Sequence, residues 1–373
     1  MTAGPAACQQ AADWLHQASS HSIGPGRPHC CSGGVAETVN LQLSTFNLQP
    51  NPKLPTRMVG WVRGRLPGAG PGRLGLVLAL IAFSVVLALL QPQFLAPGNL
   101  INVARQISLN GILAVGVTYV LLTAGVDLSL GSLVALTGVV AASFAHPGDW
   151  PVIVPVGMGV LAGTVCGAVN GLVITQGRIA PFIVTLGMMT VARGLALVIS
   201  RGKPVSNLSQ SFTSLGGDLL GIPIPILILV VVAAISAVFL ANLRLGRYIY
   251  AVGGNEEAAR AAGLNVKAIK TFAYTVCGGL AGVAGVVLAA RITTGQPNAG
   301  IAYELDAIAA AVIGGTSLSG GVGGVGGTLL GALLMGVINN GLDLLNVSSY
   351  YQQIVKGMII VGAVWLDKRQ RSR

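Results

Sequence analysis

Charged residues are scarce in this sequence. Asp, Glu, Lys and Arg together make up 9% of the 373 residues, whereas soluble domains carry about a quarter. Aromatic residues supply only 5%, while hydrophobic residues supply 53% and glycine fills 53 positions. This balance excludes an ordinary soluble domain and is typical of helices that pack closely in lipid. The sequence therefore predicts an all-α polytopic membrane protein.

The motifs of an enzyme are also missing. The sequence contains no G-x-x-x-x-G-K-[ST] loop for ATP, no His-x-x-x-His metal spacing and no nucleophile elbow. We therefore expect no enzymatic activity, no cofactor and no metal site in this chain. The net charge of +11 could indicate nucleic-acid binding, but the cations lie between apolar runs and form no patch with interleaved aromatics. We expect no nucleic-acid partner.

The first 57 residues differ from the rest of the chain. They are rich in Pro, Gly, Ser, Gln and His, and they contain neither an apolar run nor the parts of a signal peptide. We interpret residues 1–57 as a disordered cytoplasmic extension, or as residues that are not translated because Met58 is the true start. Residues 58–373 form the predicted transmembrane domain.

Apolar runs long enough to cross a membrane recur from Arg73 onward, since a crossing takes about 20 residues. We expect about ten spans, at 74–90, 100–122, 128–145, 151–175, 180–200, 223–243, 270–290, 302–314, 326–345 and 351–366. Of the 22 Lys and Arg residues, 16 fall in the N-terminal lead-in, around Arg178, in the loop 244–270 and in the C-terminal tail. The positive-inside rule then places both termini in the cytoplasm. We expect an inner-membrane protein.

Two of these spans, 128–145 and 302–314, are interrupted by polar sequence and need not be full crossings. The segments 125–132 and 314–321 place glycine and polar residues at membrane depth, which is tolerated only inside protein or beside a water-filled path. The two segments also match each other at an offset of 190, and the Asn-Gly-Leu of residues 170–172 recurs at 340–342. Two weakly similar halves with interrupted helices are typical of transporters built from repeats.

The loop 244–268 has the pattern of a docking helix. Asn255 can cap a helix, Glu256 and Glu257 suit its positive end, and Gly263 can end it. A plain solvated connector is the alternative, but an alanine-rich face exposed to the cytoplasm favours contact with a partner. The predicted contact residues are Gly254, Asn255, Glu256, Ala258, Ala259 and Gly263.

This loop resembles the coupling loop of permease subunits of bacterial ATP-binding-cassette importers for simple sugars. The resemblance extends over residues 74–368 and includes the two interrupted segments and the stretches 185–194, 303–310 and 339–352. The Asn-Val-Ser-Ser-Tyr-Tyr-Gln run that begins at Asn346 most resembles the ribose-transporting members of the family.

The resemblance implies a permease that moves a monosaccharide, with ribose the expected sugar. It also implies cytoplasmic ATPase subunits that use ATP, a periplasmic sugar-binding protein and a second permease copy, most simply an identical one. The alternatives are a branched-chain amino-acid permease of the same transporter class and a secondary transporter driven by an ion gradient. An ion-driven transporter would need a buried ionisable relay. The charges available for one are Asp127, Arg193, Glu304, Asp306, Asp343 and Lys356.

A sugar pathway should offer hydrogen-bonding groups without a trapping charge, because sugars are neutral and rich in hydroxyls. Polar residues at membrane depth are the candidates, and we expect the pathway to involve Asp127, Ser129, Asp306, Thr316, Ser319, Asn339 and Asn340. An equally good interpretation of Asp127 and Asp306 is that they cap neighbouring half-helices.

Overall fold

A computed structural model describes residues 71–371 except residue 149. The predicted extension of residues 1–57 lies outside these described residues. The described chain is built almost entirely from helices, which confirms the all-α prediction. The helices are α1 Pro71–Leu90, α2 Pro97–Leu122, α3 Leu130–Ser143, α4 Ile153–Gly177, α5 Pro181–Ser200, α6 Gln210–Thr213, α7 Ile224–Asn242, α8 Arg244–Gly254, α9 Glu256–Ala261, α10 Val266–Arg291, α11 Tyr303–Ile313, α12 Val325–Leu344 and α13 Ser349–Arg371.

The remaining regular structure is short. Two turns of 3₁₀ helix occupy Pro92–Leu95 and Ser214–Gly216. A two-stranded antiparallel hairpin pairs β1 Asp218–Leu219 with β2 Ile222–Pro223, with Asp218 opposite Pro223. The hairpin precedes α7, and an ion pair joins Asp218 to Arg105 of α2 at 2.6 Å.

Six of the described helices are long and apolar enough to cross a membrane, namely α2, α4, α5, α7, α10 and α12. The ten predicted spans are therefore not confirmed as ten crossings. Two of them are too short: α3 has 14 residues and α11 has 11, which gives about 21 and about 16 Å against a hydrocarbon core of about 30 Å. Both short helices adjoin the predicted polar breaks, so the breaks explain their length.

The core surrounds α10, which packs most extensively against α4 and also against α2 and α3. The contact with α4 depends on glycine: a side chain at Gly163 would overlap the backbone of α10, with Gly282 N at 2.9 Å. Gly159, Gly163, Gly167 and Gly171 recur every fourth residue of α4 and are all buried. This small-residue face allows close backbone approach in lipid, as the sequence spacing predicts.

Candidate functional site

The first break, between α2 and α3, holds a sealed polar cluster. Asp127 Oδ1 accepts hydrogen bonds from Ser129 N at 2.9 Å and Ser129 Oγ at 2.6 Å. Asn170 of α4 donates to Ser129 Oγ at 3.1 Å. All three residues have an exposure of 0%, and within residues 71–371 neither Asp127 Oδ2 nor Asn170 Oδ1 has a hydrogen-bond partner. The structure thus brings Asp127 and Ser129 together and adds Asn170, which the sequence identified only as a repeated position.

Further charged groups meet at the start of α3. The backbone N–H of Gly131 donates to the Glu304 carboxylate, which also lies near the charge of Arg193. Arg193 of α5 donates to the carbonyl oxygens of Pro297 and Ala299 at 2.7 and 2.8 Å. These charges therefore hold α3, α5 and the segment before α11 together.

The second break, between α11 and α12, is built differently. Thr316 Oγ1 lies 3.4 Å from Thr328 Oγ1, which lies 2.8 Å from Thr118 Oγ1 of α2, and all three threonines are fully buried. Ser319 is exposed and donates its backbone N–H to Ser317 Oγ at 3.2 Å. The structure therefore separates Thr316 from Ser319, although the sequence grouped them.

A third polar cluster joins α11, α12 and α13. Asp306 Oδ2 accepts hydrogen bonds from Lys356 Nζ at 2.9 Å and from Asn339 Nδ2 at 3.4 Å. Asp306 and Asn339 are each 3% exposed. The neighbouring Asn340 points elsewhere and exchanges two amide hydrogen bonds with Asn99 of α2, at 2.8 and 3.0 Å.

The predicted pathway residues therefore do not form one site. Thr328 and Asn339 lie on the same helix, and 11 residues of helix rise about 16 Å. The Thr316 cluster and the Asp306 cluster consequently lie at different depths along α12. No group of three His, Cys, Asp or Glu side chains in the described part of the chain is placed to hold a metal ion.

The predicted coupling loop forms two helices, α8 and α9, where the sequence predicted one. Asn255 caps α9 by accepting from Ala258 N at 2.9 Å, and Gly263 ends the segment with φ +82°, both as predicted. Ala258 is exposed, but Ala259 is 5% exposed and packs into a core cluster with residues of α2, α8 and α10. The prediction that Ala259 presents a docking surface is therefore wrong, because the side chain faces inward.

Glu256 fixes α9 to the bundle. Its carboxylate accepts from Lys270 Nζ of α10 at 2.5 Å and from Arg260 Nη2 at 2.8 Å. The hydrogen bond from Lys270, together with the charges of Lys270 and Arg260, holds the pKa of Glu256 below its usual value. The glutamate is thus ionised at neutral pH and ties the segment to a membrane-spanning helix.

The end of α8 touches both breaks through backbone. A side chain at Gly253 would overlap the Leu122 carbonyl oxygen, at the end of α2, and would lie 2.6 Å from Gly321 N. Gly321 N–H itself donates to Leu122 O at 3.0 Å, and Tyr250 OH of α8 donates to Gly323 O at 3.0 Å. Apart from the glycine pair at 253 and 254, no feature of the sequence indicated this contact.

Comparison with known proteins supports one family. Residues 99–364 match the family described as branched-chain amino acid transport system / permease component. A ribose import permease of Escherichia coli K12 is 46% identical over 300 residues, which cover 79% of this chain and 93% of that protein. The ribose import permease of Bacillus subtilis is 46% identical over 303 residues, 80% of this chain and 94% of that protein.

A more distant relative is named for a different sugar. The D-allose transport system permease of Escherichia coli K12 is 39% identical over 78% of this chain and 90% of that protein. No solved structure matches this chain. The extent of these matches shows that the chain belongs to the branched-chain amino acid transport system / permease component family.

Proposed function

We propose that this chain is the membrane-spanning permease of an ATP-binding-cassette importer that passes ribose across the inner membrane. The single observation that carries the mechanism is the backbone contact of Gly253 with Leu122 and Gly321. Through this contact, the surface segment formed by α8 and α9 adjoins both helix breaks. A push on α8 and α9 therefore reaches both interrupted segments without passing through a flexible linker.

Sugar rather than amino acid is favoured as cargo by the relatives. The family description names branched-chain amino acids, but the relatives of 39 to 46% identity described above are named for ribose and allose. We place the cargo pathway along the polar residues beside the two breaks and on α12.

The proposal includes partners that supply energy and cargo. ATP hydrolysis belongs to cytoplasmic ATPase subunits that dock on α8 and α9, and a periplasmic sugar-binding protein delivers the cargo. A second copy of this chain completes the translocation unit, and both termini face the cytoplasm. The exposed face of α9, with Glu257 and Ala258, suits such docking because Glu256 holds the helix from the other side.

Reconstitution in vesicles tests this function. Vesicles that contain the permease and its ATPase should take up radiolabelled ribose only when ATP and the sugar-binding protein are both present. Uptake should persist after proton and sodium gradients are collapsed with ionophores. Uptake of leucine in place of ribose would support the amino-acid alternative, and uptake without ATP that stops with the ionophores would support an ion-driven transporter.

A further inference from the structure

The polar cluster of Asp306, Asn339 and Lys356 has unused hydrogen-bonding capacity. Among the residues that the structure describes, Asp306 Oδ1 and Asn339 Oδ1 are buried atoms without a hydrogen-bond partner. A lysine ammonium carries three N–H donors, and its bond to Asp306 uses one of them. Buried polar atoms are nearly always satisfied, so two adjacent orphan acceptors beside a cation indicate a missing ligand.

This cluster is reachable, unlike the cluster at the first break. The Lys356 side chain is 22% exposed, whereas Asp127, Ser129 and Asn170 have no exposed surface. Lys356 lies in the predicted span 351–366, and a charge at membrane depth faces protein or a water-filled cavity. The exposed part of Lys356 therefore marks the side on which water, and a solute, can approach.

The charges of the cluster suit a neutral ligand. Asp306 and Lys356 compensate each other within one ion pair, so the site carries no net charge to trap a cargo. It offers two acceptor oxygens and N–H donors from Lys356 in one place. A sugar hydroxyl can donate and accept at once, so neighbouring hydroxyls can satisfy both orphan acceptors and bind the ammonium.

We propose that Asp306, Asn339 and Lys356 form the cargo-contact site of the pathway and bind hydroxyl groups of a neutral sugar in transit. The proposal rests on the importer function proposed above and assigns the contact to one of three polar clusters. Asp127, Ser129 and Asn170 hold the first break in shape. Lys356, which the sequence offered only as one member of an ion relay, becomes a ligand for cargo.

Two double variants separate cargo contact from simple ion pairing. Asp306→Asn with Lys356→Gln removes both charges and keeps hydrogen-bonding groups, and ribose uptake should stay within about threefold of the unmodified permease. Asp306→Leu with Lys356→Met keeps the volume and removes the polar groups. Replacing a buried ion pair by apolar residues often leaves stability unchanged or raises it, so the complex should still assemble. Its ribose uptake should fall at least about tenfold, the loss expected when two hydrogen bonds to cargo disappear.

The measurements are made on the full complex in vesicles with the ATPase and the sugar-binding protein. Normal ribose uptake by the Asp306→Leu/Lys356→Met variant would overturn the proposal. Loss of uptake in both double variants despite normal assembly would also overturn it, because transport would then depend on the charges. Absence of ATP-dependent ribose uptake by the unmodified complex would instead refute the importer function.

Labelling of a single cysteine keeps the proposal testable if the apolar pair does not assemble. Lys356→Cys is combined with Asp306→Asn in a chain without other cysteines, and the control chain keeps only Cys277, which is native and fully buried. A water-soluble thiosulfonate should modify the new cysteine at least about tenfold faster than Cys277. Equal rates for the two cysteines would overturn the proposal.

Discussion

A single methyl group at Gly253 should damage the contact between the coupling segment and the helix breaks. In Gly253→Ala the new Cβ overlaps the Leu122 carbonyl oxygen and lies 2.6 Å from Gly321 N. Both neighbours are backbone, so neither can turn away as a side chain would. Overpacking of this kind costs about 1–3 kcal/mol, and alanine returns at most about 1 kcal/mol through helix propensity. Because both clashing atoms are backbone, we take the upper end of that cost and expect a net loss of about 2 kcal/mol.

The adjacent glycine provides a matched control for stability. Gly254 has nothing within 4 Å of an added Cβ, so Gly254→Ala makes the same chemical change in open space. Thermal unfolding of the purified permease in detergent should show a midpoint lower by about 4 °C or more for Gly253→Ala and unchanged or slightly higher for Gly254→Ala. Equal midpoints for the two variants would show that α8 does not press on the breaks, and the proposed route of coupling would lose its basis.

Four further predictions concern α9, the first break and the start of the chain. Glu256→Lys should insert normally but reduce co-purification with the ATPase, because it loses both ion pairs of α9. Because the pKa of Glu256 is lowered in the folded chain, its ion pairs stabilise α9 fully above the pH range in which glutamate ordinarily titrates. This stabilisation disappears as the pH falls through the lowered pKa. Hydrogen exchange in α9, corrected for intrinsic rates, should follow this course in the unmodified chain and be flat in Glu256→Gln. Asp127→Asn should retain ribose uptake, since an amide keeps the acceptor for Ser129, and loss of uptake in an assembled complex would indicate a charge-dependent step. A chain that starts at Met58 should insert and transport as well as the full chain, and loss of uptake at normal membrane levels would give residues 1–57 a function.

Much of the fold could be predicted because lipid imposes simple rules on sequence. The apolar runs predicted helices at the right places. The glycines at every fourth residue of α4 indicate a closely packed face, and the structure shows α10 against it. The number of full crossings was less well defined. The polar breaks beside Leu130–Ser143 and Tyr303–Ile313 already left full crossings open there, and the structure shows that both helices are too short to cross.

The polar clusters were harder to predict, because their members come from distant parts of the chain. Asp127 and Ser129 are two residues apart, and their contact follows from local turn geometry. Asp306 meets Lys356 across 50 residues and Asn340 meets Asn99 across 241. No spacing rule indicates such pairs in a single sequence. The inward orientation of Ala259 was missed for a related reason, since a six-residue helix does not reveal which face is covered.

The two predicted halves differ in a way that bears on mechanism. Asp127 and Asn170 of the first half correspond by sequence to Ser317 and Asn340 of the second. Asn170 donates to Ser129 and thereby ties α4 to the first break, whereas Asn340 bonds Asn99 and leaves the second break without that tie. The second break is instead bonded to the coupling segment by Tyr250, and its helix α11 carries Asp306. We therefore expect a push on α8 to act on the second break through Tyr250 as well as through the Gly253 contact that this break shares with the first.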